Sequence, residues 1–343
     1  MIRQAVVVAL VAVVALAGFA VAAAGAALML ARARRGALPL DLPDERRLHK
    51  TPTPRGGGVG IPLAGLVAIP FALAAPDARA TLLVVAAWAL PSGVLGFVDD
   101  YRPMRSRVKF AIQLAVALAV AAAGLRVDSL AIPPFAPIAL GWVGIPFTAL
   151  WLVWMTNAFN FMDGLDALAS GSGIIYCVGF AILAGAAAPG LGLAAVALGG
   201  GFAGFLVYNA PPAKIFMGDA GSLFAGAVLG GLAVALAPAV PLCASILLLG
   251  TFVWDATYTI VRRLLRGDPM LPHRTHLFQR MVVAGWSHGR VRAVYFALAL
   301  ASAGGALAYP ALPAAAQAGL CAAALAAGFG LVALTRGLER RGS

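Results

Sequence analysis

The chain has 343 residues, of which 62% are hydrophobic and 11% charged, and its mean hydropathy is +0.93. These values exclude a soluble globular domain of this length and predict a polytopic membrane protein. The formal net charge of +12 would suit a nucleic-acid ligand, but the basic residues are distributed as membrane topology requires, so we expect no nucleic-acid partner.

Apolar segments predict an all-α protein with about eleven transmembrane helices, since a hydrocarbon core of about 30 Å needs roughly 20 apolar residues per crossing. The Gly/Ala-rich stretch 179–240 allows other divisions. No polar segment is long enough for a separate soluble domain, so we expect one membrane-embedded domain over residues 1–343. The predicted spans are 5–31, 57–75, 80–98, 108–125, 141–157, 167–187, 191–209, 222–237, 239–261, 291–309 and 311–335.

Lysines and arginines predict the orientation of these spans. Of the 25 basic residues, 22 fall on one side, and only Arg3, Arg79 and Arg126 fall on the other. The positive-inside rule places the basic side and the C-terminus in the cytoplasm and the N-terminus outside. The run 5–31 is longer than an ordinary signal core and basic residues follow it, so we predict a retained helix in preference to a cleaved signal peptide.

Paired carboxylates, Asp99 and Asp100, stand where the third apolar segment ends. Adjacent carboxylates at a helix end suit Mg²⁺ or proton removal, and Lys109 follows as a cation for a phosphate. The alternative is a topology cluster with counter-ions. We favour that alternative for Arg102 and Arg105, and a catalytic role for the two aspartates.

Polar side chains recur every third residue at Asn157, Asn160, Asp163 and Asp166. On a helical turn this spacing brings their oxygens to one face, which suits a metal or the ribose and base of a nucleotide. One of them serving as a helix cap is the alternative.

The segment 214–222 places Asp219 between Gly218 and Gly221, with Phe216 close by. Glycine lets a ligand approach the backbone, a carboxylate can hold Mg²⁺, and an aromatic ring can stack on a base. A turn followed by a helix cap is the alternative.

His273, Arg274 and His276 lie in a long basic loop. Two histidines could ligate zinc, but no third or fourth ligand lies nearby in the sequence. Imidazole and guanidinium donors to a pyrophosphate fit better. A secondary transporter is disfavoured, because the acids lie at helix ends and no inverted repeat is visible; Asp255 is the one acid inside a predicted span.

Five strings together resemble the polyprenyl-phosphate N-acetylhexosamine-1-phosphate transferases, the MraY/WecA group of glycosyltransferase family 4. They occur in the family's order. The strings are His49-Lys-Thr-Pro-Thr-Pro-Arg-Gly-Gly-Gly58, Gly96-Phe-Val-Asp-Asp100, Asn157 to Gly164, Lys214 to Leu223 and His273 to Arg280.

The resemblance implies roles for individual residues. Asp99, Asp100 and Asp219 would be catalytic, and Asp219 with Asn160 would hold the metal. One departure is Pro103, which stands where the peptidoglycan branch has a lysine. The residues expected to bind substrate are Lys50, Lys109, Asn157, Asn160, Asp163, Asp166, Phe216, His273, Arg274 and His276.

The resemblance also implies a reaction. A UDP-N-acetylamino sugar would donate its sugar-1-phosphate to undecaprenyl phosphate with Mg²⁺, or alternatively Mn²⁺, at the cytoplasmic face of the bacterial inner membrane, and a homodimer is left open. The loop sequence His-Arg-Thr-His, with Trp254-Asp255 before it, is closest to the WecA-like branch that initiates O-antigen or other surface glycans. The alternative is the pentapeptide transferase of peptidoglycan synthesis.

Overall fold

The computed structural model describes residues 2–42, 48, 51–70, 76–268 and 273–342. These residues are overwhelmingly helical, with two short two-stranded antiparallel sheets, one pairing Leu40–Asp41 with Thr53–Pro54 and one pairing Ser129–Leu130 with Ile138–Ala139. The helices are α1 (Ile2–Arg34), α2 (Gly60–Leu66), α3 (Pro76–Tyr101), α4 (Ser106–Ala122), α5 (Gly144–Phe161), α6 (Leu168–Ala184), α7 (Pro189–Asn209), α8 (Gly218–Leu236), α9 (Leu242–Leu248), α10 (Gly250–Arg266), α11 (Leu277–Val283), α12 (His288–Ala308) and α13 (Ala314–Gly342), and the strands are β1 (Leu40–Asp41), β2 (Thr53–Pro54), β3 (Ser129–Leu130) and β4 (Ile138–Ala139).

Seven helical segments among the described residues are long and apolar enough to cross a membrane, and the bent pair α9–α10 can supply an eighth span. The predicted all-α polytopic class is confirmed. The predicted spans 57–75, 108–125 and 167–187 correspond to shorter helices, and 71–75 lie outside the described residues. The number eleven therefore stays a prediction.

The predicted span 239–261 is not one straight helix. It breaks between α9 and α10, whose axes differ by 81°, and α10 continues to Arg266. Gly250 starts α10 at the break, and glycine offers little resistance to such a bend. The two faces of α10 also differ, because Asp255 and Thr259 are buried while Leu264 and Leu265 are exposed.

Helix α8 is the centre of the bundle. Almost every one of its side chains is buried, as expected for a helix that carries no charge after Asp219 and is apolar on all faces. Helices α3 and α5 pack along it. The start of α8 is therefore fixed by its neighbours before any ligand binds.

Glycines bring helices together where lipid gives no hydrophobic drive for association. A Cβ on Gly200 would lie 2.2 Å from the carbonyl oxygen of Ala15 in α1, and one on Gly204 would lie 2.2 Å from that of Phe19. Gly200 and Gly204 therefore allow α7 to pack closely against α1. At the centre of the bundle, Gly96 of α3 does the same against Asp219, whose carbonyl oxygen would be 2.2 Å from an added Cβ.

The Gly96→Ala substitution is expected to lower the melting temperature of the detergent-solubilised protein. Alanine favours helices by about 1 kcal/mol over glycine, but the colliding atoms are backbone, and overpacking costs about 1–3 kcal/mol. Gly319→Ala, also in a helix but with no atom within 4 Å of the added Cβ, is the control and should leave the melting temperature unchanged or raise it. Equal melting temperatures for the two variants would contradict the tight contact between α3 and α8.

Candidate active site

The loop before α8 is held by the end of β2 and the residues that follow it. The backbone N–H of Phe216 donates to the carbonyl oxygen of Pro54 at 2.9 Å, and the carbonyl oxygen of Phe216 accepts from the N–H of Gly57 at 2.9 Å. This pairing places Arg55 opposite Phe216. The guanidinium of Arg55 thereby reaches the start of α8.

Asp100 caps the N-terminus of α8 from the last turn of α3. Its Oδ1 accepts from the N–H of Asp219 at 2.9 Å, and its Oδ2 accepts from the N–H of Ala220 at 3.0 Å. Gly218, with φ of +77°, makes the turn that aims these N–H groups at Asp100. The first N–H groups of a helix have no partner within it, so a buried carboxylate satisfies them and the helix dipole together.

Asp219 lies at the centre of a charged cluster. Its Oδ1 accepts from Arg55 Nη2 at 2.8 Å and from Asn160 Nδ2 at 3.1 Å, and its Oδ2 accepts from Lys109 Nζ at 3.2 Å. The same Nζ lies 2.7 Å from Asp99 Oδ2. Lys109 therefore bridges Asp99 and Asp219.

Arg55 joins two of the carboxylates. Besides its bond to Asp219, its Nε lies 3.2 Å from Asp100 Oδ1. Burial acts to lower the pKa of Arg55, but the charges of Asp219 and Asp100 outweigh it, so its pKa is raised above the ordinary value. Arg55 stays charged, and two cations face three carboxylates in the cluster.

The donor set fits a divalent cation that is shared with a phosphate. Asp99 and Asp219 hold one ammonium between them, which shows that the pair can hold a cation. No group of three or more His, Cys, Asp or Glu residues suited to a metal occurs in the described part of the chain. Mg²⁺ commonly binds through one or two carboxylates and completes its shell with water and substrate phosphates, so two carboxylates suffice.

The four polar residues from 157 to 166 do not converge on one point. Asn160 reaches Asp219 and, at 2.8 Å, the hydroxyl of Ser222, whereas Asn157 donates to Gln113 Oε1 at 2.7 Å. Asp166 instead accepts from the N–H of Ala213 at 3.0 Å and fixes the loop before Lys214. The four residues do not share one helical face because α5 ends at Phe161, before Asp163 and Asp166.

Asp163 follows the end of α5 and faces the charged cluster. Its side chain keeps some exposure, yet desolvation raises the pKa of its carboxyl well above the usual range; Arg55 opposes this, and Asp219 and Asp100 reinforce it.

Asp255 holds the histidine loop. Its carboxylate accepts from His276 Nδ1 at 3.1 Å, from the N–H of Leu277 at 2.9 Å and from the hydroxyl of Tyr295. A carboxylate at Nδ1 sets the tautomer and orientation of the ring. The ring of His276 lies 5.6 Å from that of Phe161, next to Asn160.

His273 and Arg274 complete the loop. The ring of His273 stacks on His276 at 5.2 Å, and its Nδ1 accepts from the N–H of Thr275 at 3.3 Å. Burial, reinforced by His276 and Arg263, lowers the pKa of His273 to about 4. At neutral pH His273 is therefore uncharged and presents its other nitrogen as a donor, while Arg274 is exposed.

Sequence reasoning singled out most of the candidate site but missed Arg55 of the charged cluster and Asp255 beneath the histidine loop. Arg55 lies inside the string from His49 to Gly58 without having been chosen, although it is the only cation there that reaches Asp219 among the described residues. Asp255 had a usable signal as the one acid within a predicted span. The predicted phosphate contact Lys50 lies outside the described residues.

Comparisons with known proteins identify the family of this chain. The sequence pattern of glycosyl transferase family 4 matches residues 82–237. A probable undecaprenyl-phosphate N-acetylglucosaminyl 1-phosphate transferase from Bacillus subtilis is 37% identical over 257 residues, covering 73% of this chain and 71% of the relative.

Two further relatives widen the comparison. A phospho-N-acetylmuramoyl-pentapeptide-transferase from Desulforamulus reducens is 34% identical over 71% of this chain and 78% of its own length. A decaprenyl-phosphate N-acetylglucosaminephosphotransferase from Mycobacterium leprae is 31% identical over 73% of this chain and 71% of its own length. The chain belongs to glycosyl transferase family 4, the polyprenyl-phosphate N-acetylhexosamine-1-phosphate transferases.

Proposed function

We propose that this protein transfers an N-acetylated amino-sugar-1-phosphate from a UDP-sugar to undecaprenyl phosphate. The products are undecaprenyl-diphospho-sugar and UMP, and the step initiates an O-antigen or another surface glycan. The observation that carries the proposal is the cluster of Asp99, Lys109, Asp219 and Arg55 at the N-terminus of α8. The direct test is incorporation of label from a UDP-sugar into extractable lipid by the purified protein.

The reaction joins two anions, so the site must first reduce their repulsion. An oxygen of the lipid phosphate attacks the β-phosphorus of the UDP-sugar and forms the new P–O bond. The bond from that phosphorus to the bridging oxygen breaks, and its electron pair leaves on UMP. Arg55 and Lys109 would neutralise the charge of the phosphates.

The three aspartates have different surroundings, which suggests different roles. Asp219, with Asn160 beside it, would hold the metal and the diphosphate. Asp99 would accept the proton of a monoprotonated lipid phosphate, because it is only half-buried and takes no part in the cap that Asp100 makes on α8. Asp100 uses both oxygens in capping α8 and would act by positioning Asp219.

Asp219 and Asn160, with Asp99 nearby, would hold the family's divalent ion, Mg²⁺ or alternatively Mn²⁺. When bound, it would screen the phosphate charges and stabilise the leaving group. A direct displacement is our preferred route. The alternative, a covalent phosphoryl-aspartate, requires an aspartate that is free to attack, and Asp100 is not free in this sense.

The remaining residues would bind the rest of the donor. Phe216 and Asp163 lie on segments next to the cluster and would contact the nucleotide, whereas Asn157 and Asp166 would support these segments. His273, Arg274 and His276 would cover the pyrophosphate and sugar, and Lys50 would contact a phosphate.

Asp219→Asn is expected to reduce transfer about 10²–10³-fold or more, because it removes charge that stabilises the transition state. Asp128→Asn is the matched control, since Asp128 is an exposed carboxylate paired with Arg126 at 2.6 Å. The measurement is turnover at saturating Mg²⁺, with both variants checked for normal yield and elution. Activity of Asp219→Asn within tenfold of wild type would show that Asp219 is not the metal ligand.

The donor should be a UDP-linked N-acetylhexosamine or 6-deoxyhexosamine, and Arg274→Ala should change the preference among donors more than it changes UMP release from an accepted one. A site that hydrogen-bonds a sugar group strongly rejects analogues lacking that group. The assay compares UDP-GlcNAc, UDP-GalNAc, UDP-FucNAc, UDP-QuiNAc and UDP-muramoyl-pentapeptide at equal concentration, with Arg290→Ala as an exposed control. If the pentapeptide donor is best, the chain performs the peptidoglycan reaction instead.

The active site should face the bacterial cytoplasm. Ser106 starts α4 and Ser129 lies in β3, beyond the other end of that helix, and both are exposed. Ser106→Cys and Ser129→Cys therefore form a matched pair in a background without the three native cysteines. An impermeant thiol reagent should label the cysteine at 129 in intact cells and the one at 106 only after permeabilisation. The reverse pattern would place the aspartate cluster outside.

A further inference from the structure

A cleft lined by arginines lies where α10, α11 and the end of α13 meet, apart from the residues of the aspartate cluster. Its volume is about 530 Å³. The lining residues are Arg262, Arg266, Arg280, Arg336, Glu339 and Arg340. Five arginines and one glutamate give the lining a formal charge of +4, and a concave surface of one sign concentrates the field that attracts an anion.

The one lining carboxylate is already engaged. Glu339 Oε1 accepts from Arg280 Nε at 2.8 Å, and its Oε2 accepts from Arg280 Nη2 at 2.7 Å. The Nη1 of Arg280 is buried without an acceptor within hydrogen-bonding distance among the described residues. A buried donor without an acceptor is costly, so an anion in the cleft would provide the missing hydrogen-bond acceptor.

A second, apolar cavity adjoins the first. Its volume is about 330 Å³, and Phe329, Val332, Ala333 and Gly337 line it together with Arg336 and Arg340. The last two residues also line the arginine cleft, so the two cavities meet at them. The two cavities together are complementary to an amphiphile that has an anionic head and an apolar tail.

Helix α13 carries the apolar cavity on a surface suited to lipid. It is one of the helices long and apolar enough to cross a membrane, and Leu325 and Phe329 are 53% and 61% exposed. The arginine cleft lies beside its last turns, where a span reaches the headgroup layer. A soluble anion would use only the cleft and would gain nothing from the apolar cavity.

We propose that the two cavities bind one anionic glycerophospholipid. Its phosphate lies among the arginines with Arg280 Nη1 as a donor, and an acyl chain lies over Phe329 and Val332. Basic pockets between membrane helices are suited to anionic headgroups, and each basic residue near the surface contributes about a fivefold gain in affinity. The site would tie α13 to α11, the helix that follows His276.

The test measures lipid binding to the delipidated full-length protein in neutral detergent by native mass spectrometry. The lipids are phosphatidylglycerol, cardiolipin, phosphatidylcholine and undecaprenyl phosphate, and the soluble arms are dihexanoyl-phosphatidylglycerol and inorganic phosphate. Long-chain phosphatidylglycerol or cardiolipin should bind at least tenfold more tightly than phosphatidylcholine. Both soluble arms should be weaker than the long-chain lipids, because they leave the apolar cavity empty.

Arg336→Gln should weaken binding of the anionic lipid about fivefold, since Arg336 lines both cavities. Arg341→Gln removes the same charge from the same helix at an exposed position outside both linings and should not change binding. If Arg336→Gln elutes abnormally, Arg340→Gln replaces it. Equal effects of the test and control variants, equal binding of phosphatidylcholine, or preference for free phosphate or for undecaprenyl phosphate would each overturn the proposal.

Discussion

The position of Asp219 depends on the bond pair that Asp100 makes with the N-terminus of α8. Both oxygens of Asp100 accept backbone N–H groups, from Asp219 and Ala220, so the cap is bidentate and comes from a different helix. Removing it would leave buried donors unsatisfied at a cost of about 1–3 kcal/mol each. Gly96 allows α3 to approach closely enough for the cap to form. The site is thus built on the contact between two packed helices.

Ion pairing explains why the cluster is stable without a ligand and still suited to one. Three carboxylates face Arg55 and Lys109, so no carboxylate is buried without a partner. If a divalent ion took the place of the Lys109 ammonium between Asp99 and Asp219, Lys109 would be available to a phosphate. Because Arg55 and Lys109 both contact Asp219, the binding of the metal and of the diphosphate should be coupled.

The sequence was sufficient for the class of fold and for most members of the site, for identifiable reasons. Charged residues are scarce in an apolar chain, so each acid at a helix end stood out, and the recurring strings supplied the rest. Helix lengths were harder to predict, because hydropathy does not register a break such as the 81° bend before Gly250. Arg55 could not be separated from its basic neighbours, since its contact with Asp219 depends on the pairing of Phe216 with Pro54 and Gly57. Likewise, the three-residue spacing after Asn157 predicts one shared face, but α5 ends at Phe161 and Asp166 accepts from Ala213 instead.

Asp100 and Asp255 play the same structural role at two different helix starts. Asp100 on α3 accepts from the first N–H groups of α8 and also contacts Arg55, while Asp255 on α10 accepts from the first N–H groups of α11 and also contacts His276. In each case one buried carboxylate fixes a helix start and orients a cationic or imidazole side chain at that start. A buried charge is costly unless it is fully hydrogen-bonded, and this double use satisfies it. This double use explains how a chain with thirteen acids can place several of them within a membrane bundle and still leave Asp99 and Asp219 outside these helix caps.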